Sequence, residues 1–403
     1  MGDVGAYAIP AKIVGAVDKS VLIGGMFTKD DADFMRLALA EAQKSLYLSN
    51  PNPRVGCVIV QAGQVIGTGF TQQVGYAHAE IEALADARKR TLDLSGSTIY
   101  VSLEPCCHIG RTPPCTQAII AAKPARVVIA MQDPNPLVSG NGIKQMAAAG
   151  IQVECGLLEE EAAALNLGFV SRMTRQLPWV RLKVAASLDG KTALPNGQSQ
   201  WITGAAARDD GHHWRAQACA ILTGVGTIKD DDASLTVRAV STLRQPKRII
   251  IDSKLDILLT ANVLKPFESK STLIKDNGAM VVCGEITSDA QLAKRAQLEA
   301  QGVEVISIPN SMGKVDLPAL MRYLASECEM NEIHVEAGHK LNGSLLREGC
   351  VDELLVYLAP TLLGSGLGIA NLPELTSLTE RTDWKRIDAT AFDPDIRLRF
   401  VRQ

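Results

Sequence analysis

The sequence predicts an α/β protein built from two domains. Its 403 residues exceed what one hydrophobic core usually serves. Segments with strand character alternate with helical segments through both halves of the chain, which is typical of layered α/β structures. A polar helical stretch, which ends at Pro178, separates the halves. We therefore predict a first domain over residues 28–156, a linker helix over 157–177 and a second domain over 178–403.

The first domain is predicted to contain four helices and five strands. Thr28 followed by Asp31 resembles a capping box, which marks the start of a helix. The runs at 55–60 and 64–70 are predicted to form a hairpin, because "QAG" between them can form a short turn. The helices are predicted over residues 31–45, 78–90, 115–123 and 142–150, and the other strands over 97–103, 125–131 and 151–156.

The second domain repeats this alternation without repeating the sequence. Its strands are predicted over residues 179–190, 219–226, 247–253, 279–285, 303–308, 332–338 and 352–360. Its helices are predicted over residues 205–218, 289–302, 317–328 and 340–349. The pattern indicates a second α/β domain with a core of its own.

Charge, hydropathy and cysteine usage exclude several classes of protein. The net charge of −3 gives no basic field for nucleic acid or an anionic membrane, and no apolar run reaches the roughly 20 residues of a membrane span. The nine cysteines are odd in number and mostly isolated, which favours a reducing compartment, here the cytoplasm, over a disulfide framework. Residues 1–25 lack the pattern of a signal peptide, so 1–27 is expected to be an extension of unknown role.

A metal site is indicated by "HAE" and, further along, "PCCHIGRTPPC". His78, Cys106 and Cys115 supply one imidazole and two thiolates, which suit Zn²⁺. Three protein ligands leave the fourth position open for water, as in catalytic zinc sites. Glu80 is expected to carry protons between that water and a leaving amine.

The spacing of the cysteines qualifies this interpretation. Zinc deaminases carry H-x-E followed by P-C-x-x-C, whereas eight residues separate Cys106 from Cys115 here, which argues for a substrate other than a nucleotide in a nucleic acid. A closed structural zinc site is the alternative for the cysteines alone. Cys107 is expected to pack rather than bind, because it cannot readily share an ion with its immediate neighbour.

"PNPRVGCVIV", "HAEIEAL", "LEPCCHIGRTPPC" and "DPNPLVSGNG" resemble the deaminase half of the bifunctional deaminase–reductases of riboflavin biosynthesis. The long cysteine spacing is that family's own form. The resemblance covers about residues 28–155 and implies a cytidine-deaminase-like three-layer domain. It implies zinc on the three residues above, Glu80 as acid and base, and substrate contacts from Asn52, His108, Arg111, Asp133 and Asn135. One departure is Thr71, which stands where the family usually has a histidine.

The second half lacks the common nucleotide-binding fingerprints. "AASLDGKT" fails as a P-loop because Ala185 replaces a glycine, and "GVGTIK" fails as a dinucleotide fingerprint because Lys229 replaces another. "GQSQWIT" would place Ser199, Trp201 and Thr203 on one side if the segment is extended. An exposed tryptophan there could cover a flat ring, although a place in the core is the alternative.

"LKVAASLDGKTALPNGQSQWIT", "GVGTIKDD", "VEAGHKLNGSLL" and "VYLAPTLLG" resemble the reductase half of the same family. The resemblance implies a dihydrofolate-reductase-like domain over 178–403 that uses NADPH. It implies NADPH contacts from Ala185, Trp201, Thr227, Asp231, Ser253, Gly338, His339, Lys340, Leu341, Asn342, Gly343 and Ser344. It implies ribose-phosphate contacts from Ser199, Arg215, Leu235, Arg238 and Glu336, and we assign Asp231 a catalytic role in protonation. The departures are Ala337 and Ala233, where the family usually has glycine and proline.

The two resemblances together imply a two-step enzyme. The first domain is expected to deaminate a diaminopyrimidinone that carries a ribosylamino phosphate, and the second to reduce the opened ribosyl chain to ribityl with NADPH. The alternatives are a zinc-stabilised binding protein for pyrimidine nucleotides and an enzyme with one active domain. The expected partners are the small phosphorylated pyrimidine and further copies of the chain, in a dimer or tetramer.

Overall fold

The computed structural model describes residues 27–110, 113–267 and 278–403. The chain divides into two compact units, Met1–Gln176 and Leu177–Gln403. The extension predicted over 1–27 lies outside the described residues except for Phe27, and so does the predicted substrate residue Arg111.

The first unit has one mixed sheet flanked by helices. Its strands are β1 Gly56–Gln61, β2 Gln64–Phe70, β3 Thr98–Val101, β4 Arg126–Ile129 and β5 Gln152–Cys155. Its helices are α1 Lys29–Gln43, α2 Ala79–Ala87, α3 Cys115–Ala122, α4 Asn141–Ala148, α5 Glu159–Leu165 and α6 Leu167–Arg175. The sheet order is β2-β1-β3-β4-β5. Strand β1 is antiparallel to β2 and β3, whereas β3, β4 and β5 run parallel.

Two local predictions in this unit are confirmed. The capping box at α1 is complete, because Asp31 N–H donates to Thr28 Oγ1 at 3.1 Å and Thr28 N–H donates to Asp31 Oδ2 at 2.8 Å. The predicted hairpin joins β1 and β2 through Ala62 and Gly63, which both have positive φ. Such φ values match the twist of a two-residue hairpin turn.

The segment predicted as one linker helix forms two helices, α5 and α6, with a break at Asn166. The Asn166 side chain accepts from Arg54 N–H at 2.8 Å and donates to Arg54 O at 2.9 Å. The buried side-chain amide of Asn166 therefore anchors the break between α5 and α6 to the backbone of Arg54, just before β1, through one donated and one accepted hydrogen bond.

The second unit contains a larger sheet and a small two-stranded one. Its strands are β6 Trp179–Ser187, β7 Lys191–Ala193, β8 Ala220–Gly224, β9 Lys247–Ile251, β10 Ala279–Cys283, β11 Glu304–Ser307, β12 Glu332–Val335, β13 Glu353–Ala359, β14 Leu367–Gly368, β15 Trp384–Phe392 and β16 Asp395–Arg402. Its helices are α7 Ala205–Gln217, α8 Val225–Asp231, α9 Asp289–Ala300, α10 Leu317–Ser326 and α11 His339–Arg347. The large sheet has the order β11-β10-β9-β8-β12-β6-β13-β16-β15, and β7 pairs with β14.

The neighbouring strands from β11 to β13 run parallel, and β16 and β15 are antiparallel additions at one edge. The parallel part is apolar on both faces: Leu182 and Val335 belong to one buried cluster, and Ile221 and Ile250 to the other. The carboxyl ends of these strands meet at one edge, where ligands bind in open α/β sheets.

Several elements of this unit differ from the prediction, among them the short strands β7 and β14, which were not predicted. The strand predicted to continue to residue 226 ends at Gly224, and α8 begins there. The hairpin of β15 and β16 was not predicted, because its strands are partly exposed and carry charges that hide the apolar alternation. In the part of the chain that the structure describes, no helix combines the length and apolar character needed to cross a membrane.

Candidate active sites

Two glycines of β2 bring α2 against the sheet of the first unit. A side-chain carbon at Gly69 would lie 2.3 Å from Ala79 O, and one at Gly67 would lie 2.4 Å from Ala83 O. Only residues without a side chain allow this close approach of helix and strand. The packing fixes the start of α2, where His78 is the N-cap residue and Glu80 lies in the first turn.

The structure brings His78, Cys106 and Cys115 together. His78 Nδ1 lies 3.6 Å from Cys106 Sγ and 3.4 Å from Cys115 Sγ. Cys115 begins α3, and its backbone N–H donates to Cys106 Sγ at 3.3 Å. Among the described residues, this is the group of histidine, cysteine and acidic side chains whose donor atoms could hold one ion.

These separations fit a zinc ion. Zinc–sulfur bonds of about 2.3 Å and zinc–nitrogen bonds of about 2.0 Å at a tetrahedral angle place the two atoms about 3.5 Å apart. The observed separations of 3.4 and 3.6 Å match that value. Hydrogen bonds from the Cys115 thiol and from His78 together lower the pKa of Cys106 to about 4 in spite of burial, so the site favours a thiolate.

Glu80 is buried beside this cluster. Its exposed fraction is 4%, and burial together with the charge of Cys106 raises its pKa to about 7. A buried carboxyl group with a raised pKa in a site is a candidate for acid–base work.

The four predicted substrate residues of the first unit that the structure describes lie in loops. Asp133 is buried, and its Oδ1 accepts from Asn135 N–H at 2.8 Å; Asn135 Oδ1 in turn accepts from Leu137 N–H at 3.1 Å. These turns shape the loop before α4. Asn52 is half-buried just before β1, and His108 is exposed after β3.

Glu104 is a residue of this site that the sequence reasoning missed. It is 2% exposed, and its carboxylate accepts backbone N–H groups of four residues: Asp133 at 3.2 Å, Gly140 at 2.9 Å, Gly142 at 2.9 Å and Ile143 at 3.2 Å. It therefore ties the loop of the predicted substrate residues to the segment that carries Cys106. The sequence did contain one clue to Glu104, because it lies in the motif "LEPCCHIGRTPPC", two residues before Cys106.

Thr71, which stands where the family usually has a histidine, is buried, and its hydroxyl group hydrogen-bonds the backbone. Its hydroxyl oxygen lies 3.3 Å from Val55 N, which donates to it, and it also lies 3.4 Å from Val55 O. These contacts close the end of the β1–β2 pair. The Thr71 hydroxyl group therefore bonds the backbone of Val55 at the edge of the sheet.

Several residues predicted to bind NADPH lie where the parallel strands of the second unit end. Ala185 is near the end of β6, and Thr227 lies in α8 directly after β8. Ser253 follows β9, and Gly338 is the N-cap of α11 after β12. A side-chain carbon at Gly338 would lie 3.8 Å from Thr227 Oγ1, so two of these junctions are neighbours.

The stretch from Gly338 to Ser344 forms the first turns of α11, where amide N–H groups suit an anion. Within it, Asn342 Nδ2 donates to Ile369 O at 2.9 Å. A side-chain carbon at Gly343 would lie 2.1 Å from Asn371 O. These two residues pack against a neighbouring loop, whereas His339, Lys340, Leu341 and Ser344 are at least partly accessible.

Arg215 and Glu336, both predicted to bind substrate, pair with each other. The guanidinium bonds both carboxylate oxygens, one of them at 2.8 Å. Lys183 Nζ lies 3.9 Å from the same carboxylate, and His334 Nε2 lies 3.3 Å from it. Burial alone would raise the pKa of Glu336, but Arg215 and Lys183 hold it well below its ordinary value. Lys183 was missed, although it precedes Ala185 by two residues on the same face of β6.

Arg238 and His212 lie beside this pair. Arg215 Nη1 donates to Thr236 O at 3.1 Å, and Arg238 Nη1 donates to Thr236 Oγ1 at 3.2 Å. Burial and the two arginines lower the pKa of His212 to about 4. His212 was also missed, although its spacing of three from Arg215 places it on the same helix face. The Leu235 side chain is buried in the core, which leaves its backbone for contact with a ligand.

The segment with Ser199, Trp201 and Thr203 is irregular, so the alternation expected of an extended chain is wrong. Trp201 is 71% exposed, which excludes the core alternative for it. Asp231 is exposed at the end of α8, and its Oδ1 accepts from Gln200 Nε2 at 3.1 Å.

The two departures in the second unit carry no visible strain. Ala337 is not one of the eight non-glycine residues with positive φ in the described chain, so its backbone conformation does not require a glycine. Ala233 packs against the buried cluster that contains Ile221 and Ile250.

Comparison with known proteins defines the class of both units. Residues 28–131 match the cytidine and deoxycytidylate deaminase zinc-binding region. Residues 178–398 match the RibD C-terminal domain. The chain therefore combines a zinc-dependent deaminase domain with a reductase domain, as the sequence predicted.

The relatives share this arrangement over nearly their whole length. Riboflavin biosynthesis protein RibD of Escherichia coli is 42% identical over 92% of this chain and 99% of its own. The structure of Acinetobacter baumannii RibD is 40% identical, has a TM-score of 0.83, and is matched over 93% of this chain and 99% of its own. That of a diaminohydroxyphosphoribosylaminopyrimidine deaminase/5-amino-6-(5-phosphoribosylamino)uracil reductase from Thermotoga maritima is 32% identical, with a TM-score of 0.79 over 93% of this chain and 99% of its own.

The chain belongs to the RibD family. It is a bifunctional enzyme, a hydrolytic deaminase and an oxidoreductase of riboflavin biosynthesis, and its cofactors are zinc and NADPH.

Proposed function

We propose that the first unit removes the 2-amino group of 2,5-diamino-6-(5-phosphoribosylamino)pyrimidin-4(3H)-one. We propose that the second unit then reduces the ribosyl chain of 5-amino-6-(5-phosphoribosylamino)uracil. The Thermotoga maritima relative carries both activities in its name. The observation that carries the proposal is the distance of 3.4 and 3.6 Å from His78 Nδ1 to two thiol sulfurs, with Glu80 buried in the first turn of α2.

In the first unit, His78, Cys106 and Cys115 would hold zinc, which supplies Lewis-acid activation of water at neutral pH. Glu80 takes a proton from the attacking water and passes it to the departing amine, so that the water oxygen stays on the ring carbon as the carbonyl and the amino group leaves as ammonia. Asp133 and Asn135 face the pyrimidine from their loop, and Asn52 binds its edge. His108 and Arg111 are donors for the phosphate or a ring carbonyl.

In the second unit, NADPH supplies a hydride when bound. Ala185, Trp201, Thr227, Ser253 and the start of α11 hold the cofactor at the carboxyl edge of the sheet, where open α/β sheets bind ligands.

The ribose-phosphate substrate is held by a separate group of residues in that unit. Arg215, Arg238, Ser199 and the Leu235 backbone bind it, and Glu336 orients the Arg215 guanidinium. Asp231 assists protonation of the carbonyl oxygen that becomes the new hydroxyl.

We place the enzyme in the cytoplasm as a dimer or tetramer that binds neither nucleic acid nor membranes. Nine unpaired cysteines support a reducing compartment, and the net charge of −3 supports the absence of a polyanionic partner. Sedimentation of the purified chain gives the number of copies.

The test measures ammonia release and NADPH oxidation separately. Glu80→Gln is expected to reduce ammonia release at least 100-fold, because general acid–base groups contribute about 10²–10⁴-fold, while zinc content and NADPH oxidation on the deaminated pyrimidine stay unchanged. Glu82→Gln, in the same helical turn, is the matched control and should keep full activity. Unchanged ammonia release in Glu80→Gln would contradict the assignment. Wild-type chain that binds pyrimidine without turnover, or gives only one signal, would favour a binding protein or an enzyme with one active domain.

A further inference from the structure

The segment 199–204 is fixed by three contacts from different parts of the second unit. Gln200 Nε2 donates to Asp231 Oδ1 at 3.1 Å, and Arg208 Nη1 donates to Thr203 O at 2.6 Å. At its end, Gly204 N–H donates to Asp395 Oδ2 at 2.6 Å, and that carboxylate is buried. An irregular segment tied in this way holds one shape before any ligand arrives.

Arg208 also lies against the Trp201 side chain. Its guanidinium carbon is 4.6 Å from the centroid of the indole ring, within the range of a cation–π contact. Trp201 nevertheless remains 71% exposed. Since the guanidinium covers one face of the ring, that exposure includes the opposite face.

We infer that Arg208 is a positioning residue of the reductase: it fixes the Trp201 indole so that the open face receives the flat nicotinamide ring. The inference rests on the proposed NADPH site of this unit. Stacking on a rigid aromatic face favours binding because little side-chain freedom is lost when the cofactor arrives. The bond from the same guanidinium to Thr203 O also holds the backbone two residues after the indole.

Arg208→Ala is expected to raise KM for NADPH about tenfold with kcat changed less than twofold, since one cation–π contact and one hydrogen bond are lost. An equilibrium titration gives a second readout, because NADPH quenches tryptophan fluorescence and its midpoint should shift by the same factor. Ammonia release, a property of the other unit, should not change. Arg295→Ala, an exposed arginine of α9 paired with Glu299, is the matched control and should keep the wild-type KM.

A double-mutant cycle separates positioning from direct contact. In a Trp201→Leu background, Arg208→Ala should change NADPH affinity less than twofold, because its effect acts through the indole. A repeated tenfold loss there would mean that Arg208 touches NADPH itself, and would overturn the inference. If Arg208→Ala does not fold, Arg208→Lys keeps the charge without the planar fork and should weaken NADPH binding several-fold.

Two further outcomes are distinguishable. Wild-type chain that binds no NADPH would contradict the proposed function. Wild-type binding with unchanged KM and midpoint in the Arg208 variants would contradict this inference alone, as would a change confined to KM for the pyrimidine.

Discussion

Replacing Glu104 tests whether a buried carboxylate holds the deaminase site together. Its Oε1 accepts from Gly142 and Ile143, in the first turn of α4, and its Oε2 accepts from Gly140 and Asp133. A carboxylate at this place also suits the positive end of the helix. In Glu104→Gln the side chain keeps one acceptor oxygen, and its amide group faces two backbone donors.

The expected loss of stability follows from these contacts. Two buried N–H groups without partners cost about 1–3 kcal/mol each, so Glu104→Gln should lower the free energy of unfolding of the first unit by about 3 kcal/mol. For a unit of this size, that corresponds to a fall in Tm of about 6–12 °C. Ammonia release should decline over the same temperature range.

The assay follows unfolding by far-ultraviolet circular dichroism and by tryptophan fluorescence. All four tryptophans lie at residue 179 or beyond, so fluorescence reports the second unit and serves as an internal control. Glu160→Gln, an exposed residue of α5, is the matched variant and should leave both transitions in place. A Glu104→Gln protein with the midpoints of that control would refute the reasoning.

Two further predictions concern buried polar groups. Burial would raise the pKa of Glu353, but Arg181 and Arg399 lower it from 4.5 to about 2. The ionised Glu353 side chain therefore stabilises the folded state fully above pH 4.5, and this contribution is lost as the pH falls toward 2. Between pH 5 and pH 2 the stability advantage of wild type over Glu353→Gln, followed by tryptophan fluorescence in urea, should shrink by about 3 kcal/mol, and a constant difference would contradict this. Thr71→Val leaves Val55 N–H without its acceptor and should cost about 1 kcal/mol of stability with kcat/KM for ammonia release within twofold, whereas a larger loss of activity would place the hydroxyl in the site.

The parts of the site that the sequence could predict depend on local patterns. The capping box at Thr28 and the hairpin turn at Ala62–Gly63 involve neighbours in sequence, and both formed as expected. His78 and Glu80 lie at the start of one helix, and Cys115 begins another. Their residue types and spacing therefore predicted metal ligands and an acid–base group. The resemblance to a family then implied that these distant segments meet.

The residues that were missed act over long sequence distances. Glu104 bonds amides 29 to 39 positions away, and Lys183 meets Glu336 only because β6 and β12 are neighbours in the sheet. Arg208 is unremarkable in sequence until the turn of segment 199–204 brings the indole over it. Such contacts depend on topology, which residue spacing does not contain.

The proposed chemistry depends most directly on His78, Cys106 and Cys115 holding one zinc ion, which their donor atoms lie close enough to do. Metal analysis with X-ray absorption should find one zinc per chain, bound by two sulfurs, one imidazole nitrogen and one light ligand from solvent. Zinc content should fall at least tenfold in His78→Ala and Cys115→Ser, together with ammonia release, while Cys107→Ser keeps both. A metal-free chain with full deaminase activity, or an ion with four protein donors, would contradict the account.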